Sequence, residues 1–493
     1  MSGSAPHRLF LDGQYIASMR NVVRTFHPAT KHPANPVVRP DQPWERSMGH
    51  NAGTVLYQNG VFRYWYQSFT LPRACVDSPG TNHGSYAESR DGIHWTKPSL
   101  DTVRLKSGER NNLFATDVAW INVIDDHHET DPSRRYKMLS YRDKWDTANE
   151  SGWAGAGWVA YYSPDGLRWK AHSHQAIYRA TADAGTLFGW DDWHGAYVAY
   201  FRPVRNLKGR DTSYHGGPPP VDEGMRRFHK YRLIGRATSP DFLEWSATET
   251  VLTPSEGDAP GTEPSYGMPV STYHGYYIGQ TYVLYAHEEE PVPRGQGLMD
   301  VQLTASRDGI NWTRLGGHQP FIARGTGGFD AGMVGPNASL IEKDGLLWFY
   351  YNGWSGEHYE TKAYRRGRDP GLWEMGRMGS GTGLATLRQD GFISVDAGED
   401  EGELVTTAGM LGGKELMINA AAHGPAGYVT AEIVDGEGKP VEGYSADDCD
   451  RFTGDSVRHR VTWRGQDAKG VPAGEHAVRF RLRSASLYSY TIT

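Results

Sequence analysis

At 493 residues the chain is too long for one ordinary core, which predicts a large domain with a smaller companion. Its 51 basic and 58 acidic side chains leave a formal charge of −7, which argues against nucleic acid or an anionic membrane as the main partner. No apolar run approaches the ~20 residues that span a bilayer. The first residues lack the order of a signal peptide, and Cys75 and Cys449 are too few for a disulfide scaffold or a cysteine-built zinc site. A soluble, cytoplasmic protein is expected, with homo-oligomers left open. Sixty glycines and 28 prolines beside 28 tyrosines and 16 tryptophans favour turns and short strands over long helices.

In chain order, the apolar stretch from Leu9 to Ile16 comes first and is expected to pair with the end of a repeating array. Thr54–Tyr57, the turn Asn59-Gly60 and Phe62–Tyr66 then read as a hairpin. Further hairpins follow from Val118 to Tyr141, from Thr186 to Tyr200, from Gly267 to Tyr285 and from Asn337 to Tyr351. After each of the first four comes a variant of one element: Ser89-Arg-Asp91-Gly92-Ile-His-Trp95, Ser163-Pro-Asp165-Gly166-Leu-Arg-Trp169, Ser239-Pro-Asp241-Phe-Leu-Glu-Trp245 and Ser306-Arg-Asp308-Gly309-Ile-Asn-Trp312. The tryptophans recur at intervals of 74, 76 and 67 residues, and a degenerate Asp390-Gly391 ends the fifth unit. Turn chemistry explains these aspartates. A repeat of roughly 70 residues holding four strands is a propeller blade. The expected fold is all-β: a five-bladed β-propeller over 1–398, followed by a small antiparallel β-sandwich over 399–493. The sandwich draws on strands at 415–419, 428–434, 459–463 and 476–482.

A second repeat opens the units: Asn51-Ala-Gly, Asp117-Val-Ala, Asp183-Ala-Gly, Glu263-Pro-Ser-Tyr266 and Asp330-Ala-Gly. Innermost blade strands start near the propeller axis, so these side chains are expected to converge on one pocket. Crowded carboxylates repel, which raises the pKa of at least one. A protonated acid beside an ionised one equips a site for glycoside hydrolysis. An aspartate ahead of a small residue and glycine also caps a turn by itself; the fivefold coincidence favours chemistry, and Glu263 is a poor turn residue.

These features resemble the five-bladed propeller glycosidases of families 32, 43, 62, 68 and 117 over roughly residues 1–395. The resemblance implies a glycoside hydrolase acting on a furanoside, an arabinofuranoside or a fructofuranoside. It implies Glu263 as the acid, Asp117 as the residue that steadies the sugar, and Asp183 or Asp330 as base, because Asn51 stands where an aspartate is expected. Glu45, in the preceding loop, is a further candidate. Around this pocket His50, Asn51, Arg142, Tyr266, Trp193, Trp354 and His358 are candidate sugar-binding residues, with Trp145 a further indole for stacking. No His-x-x-x-His pair appears, so no metal or other cofactor is expected, although a central Ca²⁺ held by oxygens would be compatible. The competing readings are a non-catalytic sugar-binding propeller and a sialidase-like glycosidase, which needs an arginine cluster and a Tyr–Glu pair.

Overall fold

The computed structural model describes residues 6–45, 47–49, 53–69, 82–142, 157–173, 175–178, 184–202, 204–206, 230–259, 261–264, 266–287, 297–358 and 379–493. These residues form β-strands and short 3₁₀ turns, and no helix among them is long and apolar enough to cross a membrane.

Five antiparallel meanders follow one another. The first contains Thr54–Gln58, Val61–Phe69, Asn82–Ser89 and Leu113–Thr116. The second is Ala119–Asp125, Tyr136–Arg142, Gly157–Ser163 and Lys170–Ala171. The third is Gly185–Asp191, Ala196–Phe201, Ile234–Ser239 and Glu249–Leu252. The fourth is Val270–Tyr273, Tyr276–Ala286, Gly297–Ser306 and Thr313–Arg314. The fifth runs Ile341–Lys343, Leu346–Trp354 and Ser380–Arg388, and takes its outer strand, Thr30–Lys31, from near the chain start. Closure of the array therefore falls to Thr30–Lys31. The stretch expected to do it pairs elsewhere, Leu9 lying opposite Ser489 and Ile16 opposite Thr406.

The innermost strands are joined in a closed circuit. Val123 N donates to Thr54 Oγ1 at 3.0 Å, Asn122 Nδ2 to the Gly185 carbonyl at 3.2 Å, and Thr186 Oγ1 to the Met268 carbonyl at 2.7 Å. Gln280 Nε2 then donates to the Ser339 carbonyl at 2.9 Å, and Ala338 N to the Gly53 carbonyl at 2.8 Å. Each meander thus touches the next and the fifth touches the first.

The Ser-x-Asp-Gly turns form as their chemistry dictates. In the first, Asp91 Oδ1 accepts from the amides of Ile93 and His94, and Ser89 Oγ accepts from Gly92 N. Gly92, Gly166 and Gly309 take φ of 79°, 77° and 68°, the left-handed region that glycine occupies without cost. In the third turn that place is held by Phe242, φ 72°, whose buried ring packs on Tyr162, Tyr197 and Trp245. The turns also staple neighbours together. The carbonyls of Gly92, Gly166 and Gly309 accept from Tyr350 OH, Trp65 Nε1 and Tyr200 OH, each in the preceding meander.

Two further sheets cover the fourth and fifth meanders. One holds Val23–Phe26, Ile393–Ala397, Ala485–Ile492, Leu416–Ala422 and Asp455–Arg460, with Arg8–Leu9 beside Ala485–Ile492. The other holds Ile16–Arg20, Gly402–Thr406, Glu475–Arg483, Gly409–Met410 and Tyr428–Val434. The pairing crosses the boundary expected at 398, since strands from the first 26 residues lie in both sheets. Their facing side chains, among them Leu404, Ile433, Phe480 and Leu487, share one core with Val301, Phe349 and Leu387 of the meanders. Non-directional burial of this kind fixes the sheets on the array.

Candidate functional site

Glu263 lies in Thr262–Pro264, at the entry to the fourth meander and paired with the long strand Tyr276–Ala286. Its carboxylate accepts from Arg232 Nη1 at 3.3 Å. Burial pushes its pKa above the ordinary glutamate value, while the guanidiniums of Arg232 and Arg202 pull the other way. A raised acid was expected, but from crowding by other carboxylates; the neighbours that bear on Glu263 are cations, and desolvation does the raising.

Three residues on, the buried Tyr266 is hydrogen-bonded through its hydroxyl to His358 Nε2. The Arg202 and Arg232 guanidinium carbons lie 4.7 and 5.2 Å from the Tyr266 ring centroid, a cation–π arrangement. Tyr266 also stacks on Trp120, centroids 6.0 Å apart and planes inclined by 8°. His358 is anchored by its backbone, which exchanges hydrogen bonds with Gly297 of the fourth meander.

Asp117 stands three residues before Trp120, at the entry to the second meander. Both residues take left-handed φ, 57° and 56°, uncommon for side chains of this size and a mark of constrained backbone. The charge of Asp117 bears on His83 and on Tyr161, whose hydroxyl accepts from Nε of the buried Arg142 at 3.2 Å. The Trp120–Tyr266 stack links this group to Glu263, so residues from the first to the fifth meander meet at one end of the circuit. Arg202, Arg232 and His83 were not expected from the sequence. Single basic residues at strand ends carry no local pattern; only their similar places, Arg142 ending one second strand and Arg202 directly following another, hint at a common site.

Several expected residues lie elsewhere. Asp330 is buried outside this group: Lys31 Nζ lies 2.5 Å from its Oδ2 and Tyr351 OH donates to the same oxygen at 2.9 Å. That ion pair ties the outer strand Thr30–Lys31 to the fifth meander, so the carboxylate is committed to closure. Glu45 is likewise committed, to Lys97 Nζ at 2.5 Å and Tyr66 OH at 2.5 Å. Trp354 is a buried packing residue, edge-on to Phe69 at 6.2 Å, and not an exposed platform. Trp193 is 63% exposed, but on the turn after Gly185–Asp191, at the far end of its strand from the entries that carry Asp117 and Glu263. His50, Asn51, Trp145 and Asp183 lie outside the described residues.

A cavity of about 920 Å³ opens along the inner strands, among Gln58, Asp125, His128, Trp190, Ser271 and Glu342. None of the candidate carboxylates lines it. Among the described residues, metal-ligand spacing occurs at His7, His274 and Asp390, where the meanders meet the covering sheets. Their donors are already committed to one another. His7 Nδ1 is 2.8 Å from Asp390 Oδ2, and His7 N donates to His274 Nδ1 at 3.2 Å. Burial, then His7, brings the His274 pKa down to about 4 against the pull of Asp390, so its ring is neutral and its proton sits on Nε2. That N–H faces Asp390 Oδ1 at 3.9 Å and offers no lone pair to a cation.

No family model and no curated protein matches the chain. Solved structures do. A glycosyl hydrolase from Bacteroides ovatus is 14% identical with a TM-score of 0.44, covering 74% of this chain and 94% of its own. A β-1,2-mannobiose phosphorylase from Listeria innocua is 13% identical with a TM-score of 0.43, over 73% and 96%. A family 43 arabinoxylan arabinofuranohydrolase from Bacillus subtilis is 14% identical with a TM-score of 0.38, over 94% and 98%. At this level the likeness extends to no activity.

Proposed function

We propose that the five meanders are the blades of a five-bladed propeller, that the two covering sheets form a sandwich built from both chain ends, and that the protein is a glycoside hydrolase. One observation carries the functional reading: Glu263 is a largely buried carboxyl held by Arg232 three residues from Tyr266, whose ring stacks on Trp120, itself three residues from Asp117. In this reading Glu263, protonated, gives its proton to the leaving oxygen. An ionised aspartate, Asp117 or Asp183, activates water or attacks the anomeric carbon. Tyr266, Arg142 and His358 shape the sugar site. A furanoside is the preferred substrate, by analogy with the families the sequence resembles. The two guanidiniums against Tyr266 and Glu263 favour a second reading, an acidic sugar whose carboxylate they would engage.

The test is hydrolysis of aryl furanosides, neutral pyranosides and aryl uronides by the wild type beside Glu263→Gln. Turnover of one glycoside, reduced about 10²–10⁴-fold in the folded variant, is the expected outcome. Equal turnover by both proteins would remove Glu263 from the acid role. Sugar binding without turnover would make the chain a carbohydrate-binding propeller.

A further inference from the structure

His83 takes no part in the chemistry described so far. It lies in Asn82–Ser89 of the first meander with its side chain fully buried, and neither ring nitrogen has a hydrogen-bond partner among the described residues. Burial brings its pKa down to about 4, the charge of Asp117 pulling the other way, so the ring is neutral and holds one donor and one acceptor. An imidazole buried without partners is costly, and such groups are rare enough in folded proteins that each calls for a cause.

The backbone shows what stands beside it. His83 is the cross-strand partner of Thr116, and the Asn82 carbonyl accepts from Val118 N at 3.2 Å. Asp117, the residue between Thr116 and Val118, is thereby held at the His83 end of the ladder, in its left-handed conformation. Hydrophobic side chains are the usual occupants of such a position. Polar groups in active sites often make their full hydrogen bonds only once substrate is bound.

We propose that His83 is a positioning residue for Asp117: its ring, held in reserve in the resting protein, hydrogen-bonds the Asp117 carboxylate when substrate occupies the site. The inference rests on the glycosidase reading and adds to it the residue that would orient the second carboxylate. It also implies a trade-off, since a group kept unpartnered for the bound state weakens the resting fold.

The experiment compares wild type, His83→Leu and His83→Gln for denaturation midpoint and for kcat and KM on the best aryl glycoside. His83→Leu should hold or raise the midpoint, because it removes two unsatisfied nitrogens, while kcat falls at least tenfold with KM changed less than about twofold. His83→Gln, which keeps a donor and an acceptor, should recover part of kcat. If His83→Leu lowers the midpoint and leaves kcat unchanged, the imidazole is structural and the proposal is overturned. Should His83→Leu fail to fold, His83→Gln decides: activity and midpoint falling together in that variant also overturn it. An inactive wild type would overturn the glycosidase reading and this one with it. An active wild type matched by both variants overturns the role of His83 alone.

Discussion

Lys137 offers a sharp test of what holds the second and third meanders together. The side chain is 1% exposed, and its ammonium bonds Asp126, itself buried, Tyr197 OH at 2.8 Å and Glu129 at 3.0 Å. Tyr197 OH in turn donates to Asp126 Oδ2 at 2.7 Å. Replacing Lys137 by Met keeps the volume and removes the cation paired with Asp126. Breaking a buried pair from one side costs about 3–5 kcal/mol, because the remaining carboxylate stays desolvated without a counter-charge. Such a loss corresponds to roughly two to three and a half orders of magnitude in the folding equilibrium. Removing both charges, in Lys137→Met with Asp126→Leu, should restore stability to within about 2 kcal/mol of wild type, since apolar replacement of a buried pair is often neutral. Urea denaturation followed by tryptophan fluorescence reads both variants. A single variant that costs less than about 1 kcal/mol, or a double variant that costs the sum of the singles, would refute the argument that charge pairing governs this contact.

Three further outcomes follow from the geometry. Phe242→Gly should destabilise: losing a buried phenylalanine costs about 3–5 kcal/mol, while relief of the left-handed backbone recovers only about 1–2; an unchanged denaturation midpoint would contradict the primacy of packing there. In the turn carboxyls Asp91, Asp165, Asp241 and Asp308, burial pushes the pKa up but the hydrogen bonds each accepts outweigh it and hold it below the usual aspartate value. A depressed folded pKa stabilises above the unfolded pKa and is lost as pH falls through the folded value, so stability should decline below about pH 4; thermal melts from pH 7 to 2 that stay flat would exclude it. The same sign holds for Asp390, fully buried, where burial is outweighed by bonds from His7, Ser489 and Tyr273. His7→Ala should therefore destabilise the covering sheets, measured as faster proteolysis within 393–493.

What was legible in the sequence was local. Asn59-Gly60 and Asp344-Gly345 take the positive φ their hairpins need, at 51° and 78°, 53° and 73°. The four Ser-x-Asp turns hold themselves together within six residues, so their spacing makes a repeat of roughly 70 residues legible. Partner choice was not legible. The stretch from Leu9 to Ile16 is apolar enough to be buried, yet nothing in it distinguishes Arg388 from Tyr490 as a neighbour. Thr30–Lys31 is a two-residue strand with no pattern at all. The candidate site divided along the same line: the entries with Asp117 and Glu263 were recognisable as repeats. Asp330 in the same motif sends its side chain to Lys31, because a turn motif fixes backbone shape and not the direction of a carboxylate.

The pairing of Thr30–Lys31 with Ser380–Arg388, and of Arg8–Leu9 with Ala485–Ile492, has a consequence for how the molecule is made. During synthesis Thr30–Lys31 is made with no partner, and some 350 further residues must follow before the fifth meander exists to receive it. Contacts of such sequence separation form slowly. Until they form, the Ser380–Arg388 edge and the apolar faces of both covering sheets are open to other chains. The array thus stays an unfastened belt whose buckle was made first, and chaperone demand should fall mainly on the interval before fastening.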